Sequence, residues 1–201
     1  HASVRFSTEF NSATQDASGV TVQTSHGVIK TPWLVACDGG RSRVRKVLGI
    51  DFEGFTWPER FIVVSTIEDF AKHGFTSNAY VADPREWAAV FHMPHDTGAG
   101  LWRMAFPVHP DEDEDEVLAD EAVEERMQRF TPRDGRYEVP YKGIYRVHQR
   151  VAKEWRMGRI VLAGDAAHLN NPLGAFGLNG GLHDAILLAD YLGRVSRGDA
   201  D

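Results

Sequence analysis

Hydrophobic positions along the chain fall into three kinds of pattern. Short alternating runs come first, at Val4-Arg5-Phe6 and at Gly19-Val-Thr-Val-Gln-Thr, the second followed by Ser25-His26-Gly27 and Val28-Ile29-Lys30. Alternating runs around a short glycine-containing turn predict a hairpin. Continuous apolar runs at Trp33–Cys37 and Ile160–Ala163 predict strands buried on both faces. Helical periodicity appears three times. Ser42 precedes Val44, Val47 and Leu48 as an N-cap, and Gly49 ends that short helix. Over 111–130, Leu118, Ala119, Ala122, Val123, Met127 and Phe130 share one stripe, with the acidic run 111–116 at the favourable end of the dipole. A last helix over Gly180–Val195 carries Leu182, Ile186, Ala189 and Leu192 on its buried stripe.

Between these patterns, residues 51–110 mix aromatic residues with strand-like runs such as RFIVVSTI, WAAVFHM and LWRMAFPV. They predict an antiparallel or mixed sheet, with turns at Asp83-Pro84 and 95–98 and most aromatics in its core. Prolines and Asp134-Gly135 predict loops and short extended pieces over 131–157. The order is buried sheet, aromatic sheet with a helix, then buried sheet again. One domain interrupted by another follows, with parts 1–50 and 148–201 flanking an inserted domain 51–147.

Composition narrows the function classes. The 201 residues are 42% hydrophobic and 25% charged, as in ordinary globular proteins, with a net charge of -7. That balance speaks against nucleic acid or an anionic membrane as the main partner. No apolar run approaches the roughly 18 residues of a membrane span. The single cysteine, Cys37, allows no internal disulfide and suits a reducing, cytoplasmic setting. HASVRFSTEF is not a signal peptide and reads as the middle of a longer chain.

The stretch GRIVLAGDAAHLNNPLGAFGLNGGLHDA, Gly158 to Ala185, carries the chemistry. Asp165, just past a buried strand, lies where α/β sheets bind ligands, and its carboxylate can accept hydrogen bonds from ligand hydroxyls. The alternative is an aspartate that caps the following turn. Pro172 fixes the backbone, and Gly174, Gly177, Gly180 and Gly181 leave room before a helix whose first N–H groups stabilise negative charge. A mononucleotide or flavin uses both features. Other chemistries fit less well. Asp111, Asp113 and Asp115 have calcium-loop spacing, but Glu116 and Ala122 occupy the positions of the turn glycine and bidentate acid. His168, His183 and Asp184 do not give metal-ligand spacing, so no metal site is expected. No Gly-x-Ser-x-Gly elbow accompanies Asp165 and His168, which argues against a hydrolase.

This stretch resembles the second flavin-binding motif of class A flavoprotein monooxygenases, the aromatic hydroxylases related to p-hydroxybenzoate hydroxylase. VACDGGRSRVRK resembles their DG motif. The specific resemblance covers 33–49 and 145–195, and the rest follows by layout. It implies an α/β plus α+β fold: part of a Rossmann-like FAD-binding domain interrupted by a mixed-sheet substrate domain. It implies that Gly164 and Asp165 meet the ribityl chain of FAD and that Pro172, the expected catalytic position, lies beside the isoalloxazine ring. Backbone of Gly174, Ala175, Phe176, Gly177, Leu178 and Asn179 would hold the pyrimidine edge. Asp38 and Gly39 would sit near the pyrophosphate and assist NAD(P)H. Arg45 matches the motif's arginine, while Arg41 and Arg43 remain open alternatives. The implied activity is hydroxylation of a small aromatic substrate with NAD(P)H and dioxygen; His92, His95, Tyr80, Arg103 and Tyr145 are pocket candidates without assigned roles. Halogenation or epoxidation on the same motifs, or a non-catalytic substrate-binding module, are the alternatives, and a homo-oligomer is compatible with all of them.

The family's Gly-x-Gly-x-x-Gly unit has no counterpart here. The one Gly-x-Gly is Gly98-Ala99-Gly100, in an expected turn. Without that unit, the strands at 33–37 and 160–163 are expected to show unpaired edges.

Overall fold

The computed structural model describes residues 2–96, 98, 100–172 and 176–199. The chain divides into two compact units, His1–Thr56 with His148–Asp201, and Trp57–Val147.

The first unit begins with an antiparallel meander of β1 (Phe10–Asp16), β2 (Gly19–Thr24) and β3 (Gly27–Thr31). The predicted hairpin at 25–27 is present. Its other neighbour is FNSATQD rather than Val4–Phe6, and Val4 and Phe6 stand exposed. A second small sheet holds β4 (Leu34–Ala36), and β10 (Arg156–Met157) and β11 (Ile160–Leu162) near the chain's far end, in the order β10-β11-β4. Residues 160–162 and 34–36 pair in parallel, so strands more than a hundred residues apart meet side by side. This corrects two expectations. The 160–162 strand has neighbours on both edges, because Arg156–Met157 folds back on it. The 34–36 strand is not buried on both faces: Ala36 is 3% exposed but Val35 is 37% exposed, since the described chain covers only one side. Val20, Ala36, Val44, Ile160 and Leu162 form the core of this unit.

Helix α1 (Arg43–Val47) follows β4 as predicted. The Ser42 hydroxyl accepts from the Arg45 N–H, and Gly49 takes a positive φ of 69° at the exit.

The second unit is built on an antiparallel sheet. Its strands, in the order β9-β5-β8-β7-β6, are β5 (Phe52–Thr66), β6 (Asn78–Val81), β7 (Ala88–Met93), β8 (Leu101–Val108) and β9 (Tyr141–Ala152); β12 (His168–Leu169) pairs with β9 at Arg150 and Val151, within the first unit. The pairings are antiparallel rather than mixed. Strands β5 and β9 carry the chain from one unit to the other. The 12-residue β9 replaces the loops expected over 131–157. Arg146, His148, Gln149 and Arg150 disguise it, because pairing within the sheet overrides weak strand propensity.

One face of this sheet makes the core: Ile62, Val64, Val90, Met104 and Phe106 are fully buried with Phe70, Val123 and Met127. Each such side chain contributes about 1.5–3 kcal/mol of burial. The expected helix 111–130 is two helices, α2 (Glu114–Val117) and α3 (Asp120–Phe130). Asp113 caps the first, accepting from Asp115 and Glu116. Arg60, 8% exposed, pins the acidic segment by donating to the carbonyls of His109, Pro110 and Glu112. That anchor and the restart at Ala119, which has extended ψ, break the periodicity into two pieces.

The final helix, α4 (Phe176–Arg197), corrects the last prediction. It contains Phe176–Asn179, which were expected in the loop. Gly181, Asp184, Leu188, Leu192 and Val195 form its half-buried face, while Leu182 and Ile186 are 53% and 68% exposed. Among the described residues, no helix is long and apolar enough to cross a membrane.

Candidate functional site

The two motifs meet at the carboxyl ends of β4 and β11, where parallel pairing puts Asp38 and Asp165 past adjacent strands. The chain leaves β11 through Gly164, which has φ 58°, the left-handed region that glycine enters at little cost. A single 3-10 turn, Gly164–Ala166, then presents Asp165 to solvent. Ala163 caps that turn without a side-chain bond. No hydrogen bond or ion pair joins the Asp165 carboxylate to any described residue, so the turn-capping alternative does not hold.

Asp38 behaves in the opposite way. Its carboxylate accepts from the Ser42 hydroxyl at 2.5 Å and from the N–H groups of Arg43 and Val44 at 2.7 and 3.1 Å. It is the anion at the start of α1. Gly39 stands at φ 79° with nothing within 4 Å of a Cβ, so its backbone lies open. Gly40 is enclosed, because a Cβ there would strike the Leu169 side chain at 2.9 Å.

The choice among the three arginines has a structural answer. Arg41 and Arg43 are exposed, whereas Arg45 is 4% exposed. Its guanidinium donates to the carbonyl of Ala166 at 2.7 Å and of Gly40 at 2.7 Å, and lies 3.6 Å from the Phe52 ring centroid. Burial is the largest influence on it and pulls its pKa below the ordinary value, with Asp38 opposing. Arg45 is therefore a strut between the DG and GD segments.

The glycines of α4 also have a local cause. A Cβ on Gly181 would sit 3.4 Å from the Gly164 Cα, and one on Gly180 would sit 3.1 Å from the His168 ring. They let the helix lie directly on the GD turn. Asp184, on the same helix face, accepts from the Gly164 N–H at 2.8 Å and pairs with His168 Nε2 at 2.8 Å. Trp155 stacks on the His168 ring, with centroids 5.2 Å apart and 19° between planes. The reading of the sequence missed Asp184 and Trp155. A signal for Asp184 was present: Gly177, Gly180, Gly181 and Asp184 share a helical face.

Of the remaining site residues, Pro172, Phe176, Leu178 and Asn179 are exposed and Gly177 is half-buried. Gly174 and Ala175 lie outside the described residues. Cys37 is a free thiol next to Asp38 in sequence, its pKa raised by partial desolvation of the sulfur and then by the Asp38 and Asp184 charges.

These groups suit a flavin nucleotide. The site presents a carboxylate without a partner among the described residues for hydroxyls, open backbone at Gly39, and the start of a 22-residue helix for negative charge.

In the second unit, the sheet face opposite the core carries another group. Phe61 stacks on Tyr145 with centroids 5.3 Å apart and meets Trp87 edge-on at 5.6 Å. Tyr80 packs against Phe91. Arg103 pairs across from Phe91 and Ser65 and donates to the Ser65 hydroxyl at 3.1 Å. Burial, then Tyr80, pushes the Tyr145 phenol pKa up, so it stays a neutral donor. His92 lies elsewhere, stacked on the buried Trp102.

Comparison with known proteins gives a consistent picture. The family model described as FAD binding domain matches residues 1–201. The para-nitrophenol 4-monooxygenase of Pseudomonas sp. (strain WBC-3) is 39% identical over 98% of this chain and 49% of its own length. A 3-(3-hydroxy-phenyl)propionate/3-hydroxycinnamic acid hydroxylase of Mycolicibacterium smegmatis is 34% identical over 100% of this chain and 35% of its own. The crystal structure of p-nitrophenol 4-monooxygenase from Pseudomonas putida superposes with a TM-score of 0.84 at 40% identity, over 98% of this chain and 50% of that one. Aklavinone-11 hydroxylase, solved with FAD and aklavinone, gives 0.82 at 27% identity, over 96% and 38%. The chain thus spans half or less of the length of these relatives, and on the family match and these identities it belongs to the FAD-binding aromatic monooxygenases of class A.

Proposed function

We propose that this chain forms the ribityl-binding and substrate-binding part of an FAD-dependent monooxygenase that hydroxylates a phenol or aryl acid with NAD(P)H and dioxygen. The observation that carries it is the Asp165 carboxylate, exposed past β11 and without a partner among the described residues. An acceptor so placed suits vicinal hydroxyls, and each charge-assisted bond is worth about 1.5–3 kcal/mol. Bound FAD would supply the redox chemistry, taking electrons from NAD(P)H and activating dioxygen. The rest of the work falls to side chains and backbone of this chain. Asp165 and the open backbone at Gly39 would hold the cofactor, and the N–H groups of Phe176–Asn179 would favour negative charge on it. Pro172 would lie beside the flavin ring, and it has no proton to donate. Arg45 keeps the two motif segments in register.

The aromatic face supports the substrate class. Phe61, Trp87, Tyr145 and Phe91 offer ring contacts, and Arg103 keeps donors for an anionic substituent beyond the one it gives Ser65. Relatives named for nitrophenol and hydroxyphenylpropionate act on such molecules by name. The test is NAD(P)H oxidation by the full chain across phenols and aryl acids, with product analysis. Stoichiometric hydroxylated product is expected. Halogenated product in the presence of halide, or no substrate-dependent oxidation with any aromatic, would overturn the reading.

A further inference from the structure

We propose that Asp184 is a positioning residue for the cofactor site: it fixes the GD turn on α4 and thereby aims Asp165. The proposal rests on the reading of Asp165 as the ribityl acceptor. The helix meets the turn almost without side chains, through Gly180 against His168 and Gly181 against Gly164. Backbone-to-backbone packing of this kind sets a distance but resists sliding and rotation weakly. The directional contact is one carboxylate oxygen, Oδ2 of Asp184, which takes the Gly164 N–H and His168 Nε2, each at 2.8 Å. Two bonds to one oxygen, from residues four apart in the chain, hold Gly164, the first residue of the 3-10 turn that displays Asp165, and His168, two residues beyond its last.

His168 is itself held. Trp155 stacks on one side of the ring, and Gly180 closes against it without a side chain. The Asp184 side chain is 16% exposed and that of His168 is 19% exposed, so water competes poorly for these bonds. Among the described residues, Asp165 has no bonded partner to orient its side chain. Its direction comes from the backbone of Gly164, and that backbone is tied to Asp184.

The experiment measures FAD affinity of the full apoprotein by flavin fluorescence, with the visible circular dichroism of bound flavin as a second readout. Asp184→Ala is expected to raise the Kd about tenfold or more and to change the dichroism. Asp184→Asn, whose amide oxygen still accepts from Gly164, is expected to recover most of the affinity. His183→Ala, on an exposed neighbour, serves as the control. Affinity within twofold of the parent in folded Asp184→Ala, or no recovery in Asp184→Asn, would overturn the proposal. If Asp184→Ala does not fold, His168→Phe decides. It keeps a flat ring against Trp155 and removes the bond to Asp184. Weaker FAD binding is expected, and unchanged binding overturns the proposal. Asp165→Ala separates the two ideas. If it binds FAD like the parent, the Asp165 reading fails and this inference with it. If it weakens binding while the Asp184 variants do not, only this inference fails.

Discussion

Two charged residues of the motifs, Asp165 and Arg45, have opposite fates that follow from burial. Asp165 is exposed and unpartnered among the described residues, so Asp165→Ala should leave unfolding free energy within about 0.5 kcal/mol. The same variant should lose FAD affinity at least about tenfold, measured by titrating apoprotein. Arg45 is 4% exposed and serves two carbonyls and a ring. Arg45→Met should cost about 2–4 kcal/mol in urea unfolding without FAD, because the carbonyls of Gly40 and Ala166 lose a charged donor. Arg45→Lys should recover only part, since an ammonium lacks the planar fork that spans both. From the sequence, Arg45 matched the motif's arginine while Arg41 and Arg43 stayed open alternatives. What separates them is which side of α1 packs on the 3-10 turn at 164–166, more than a hundred residues away.

Helices and strands were legible where they were local. Ser42 as a cap, Gly49 as a stop and the turn at 25–27 needed only neighbours in sequence. The stripe on α4 was misread because its partner is glycine-rich. Gly181 and Asp184 score as polar or neutral, yet they face the GD turn. Leu182→Lys and Ile186→Lys should therefore change the stability of this chain by under about 0.5 kcal/mol, while Leu188→Lys should cost clearly more in the same denaturation series. At the end of α3, the Tyr137 hydroxyl donates to the Thr131 carbonyl, and burial holds its phenol above the usual 10.0. A folded pKa raised in this way contributes stability that is complete below about pH 10 and is lost as pH rises through the folded value. Unfolding followed from pH 8 to 12 should show that alkaline loss, and Tyr137→Phe should flatten it.

For the whole molecule, the two units raise different questions. The first unit pairs residues 34–36 with 160–162 to bring the motifs together, but its sequence contains no Gly-x-Gly-x-x-Gly to grip a pyrophosphate. The 201-residue chain alone should bind FAD weakly, and stoichiometric retention of FAD through gel filtration with a flavin spectrum would contradict this. The second unit has a buried face that any sheet of this size requires, and an aromatic face with Arg103 that the fold does not require. Alternation along β5 and β8 encodes both faces, but which aromatics stand together depends on the antiparallel register.

By itself, the sequence determined the two motif segments and the capped helix α1, because each rests on short-range spacing, and the resemblance of those segments pointed to the family. Only the tertiary structure decided that β9 is a strand, that Arg45 is a strut, and that the glycines of α4 serve a helix-to-turn contact held by Asp184. Those outcomes depend on pairings between residues far apart in the chain, and no local pattern of polarity carries the identity of a distant partner.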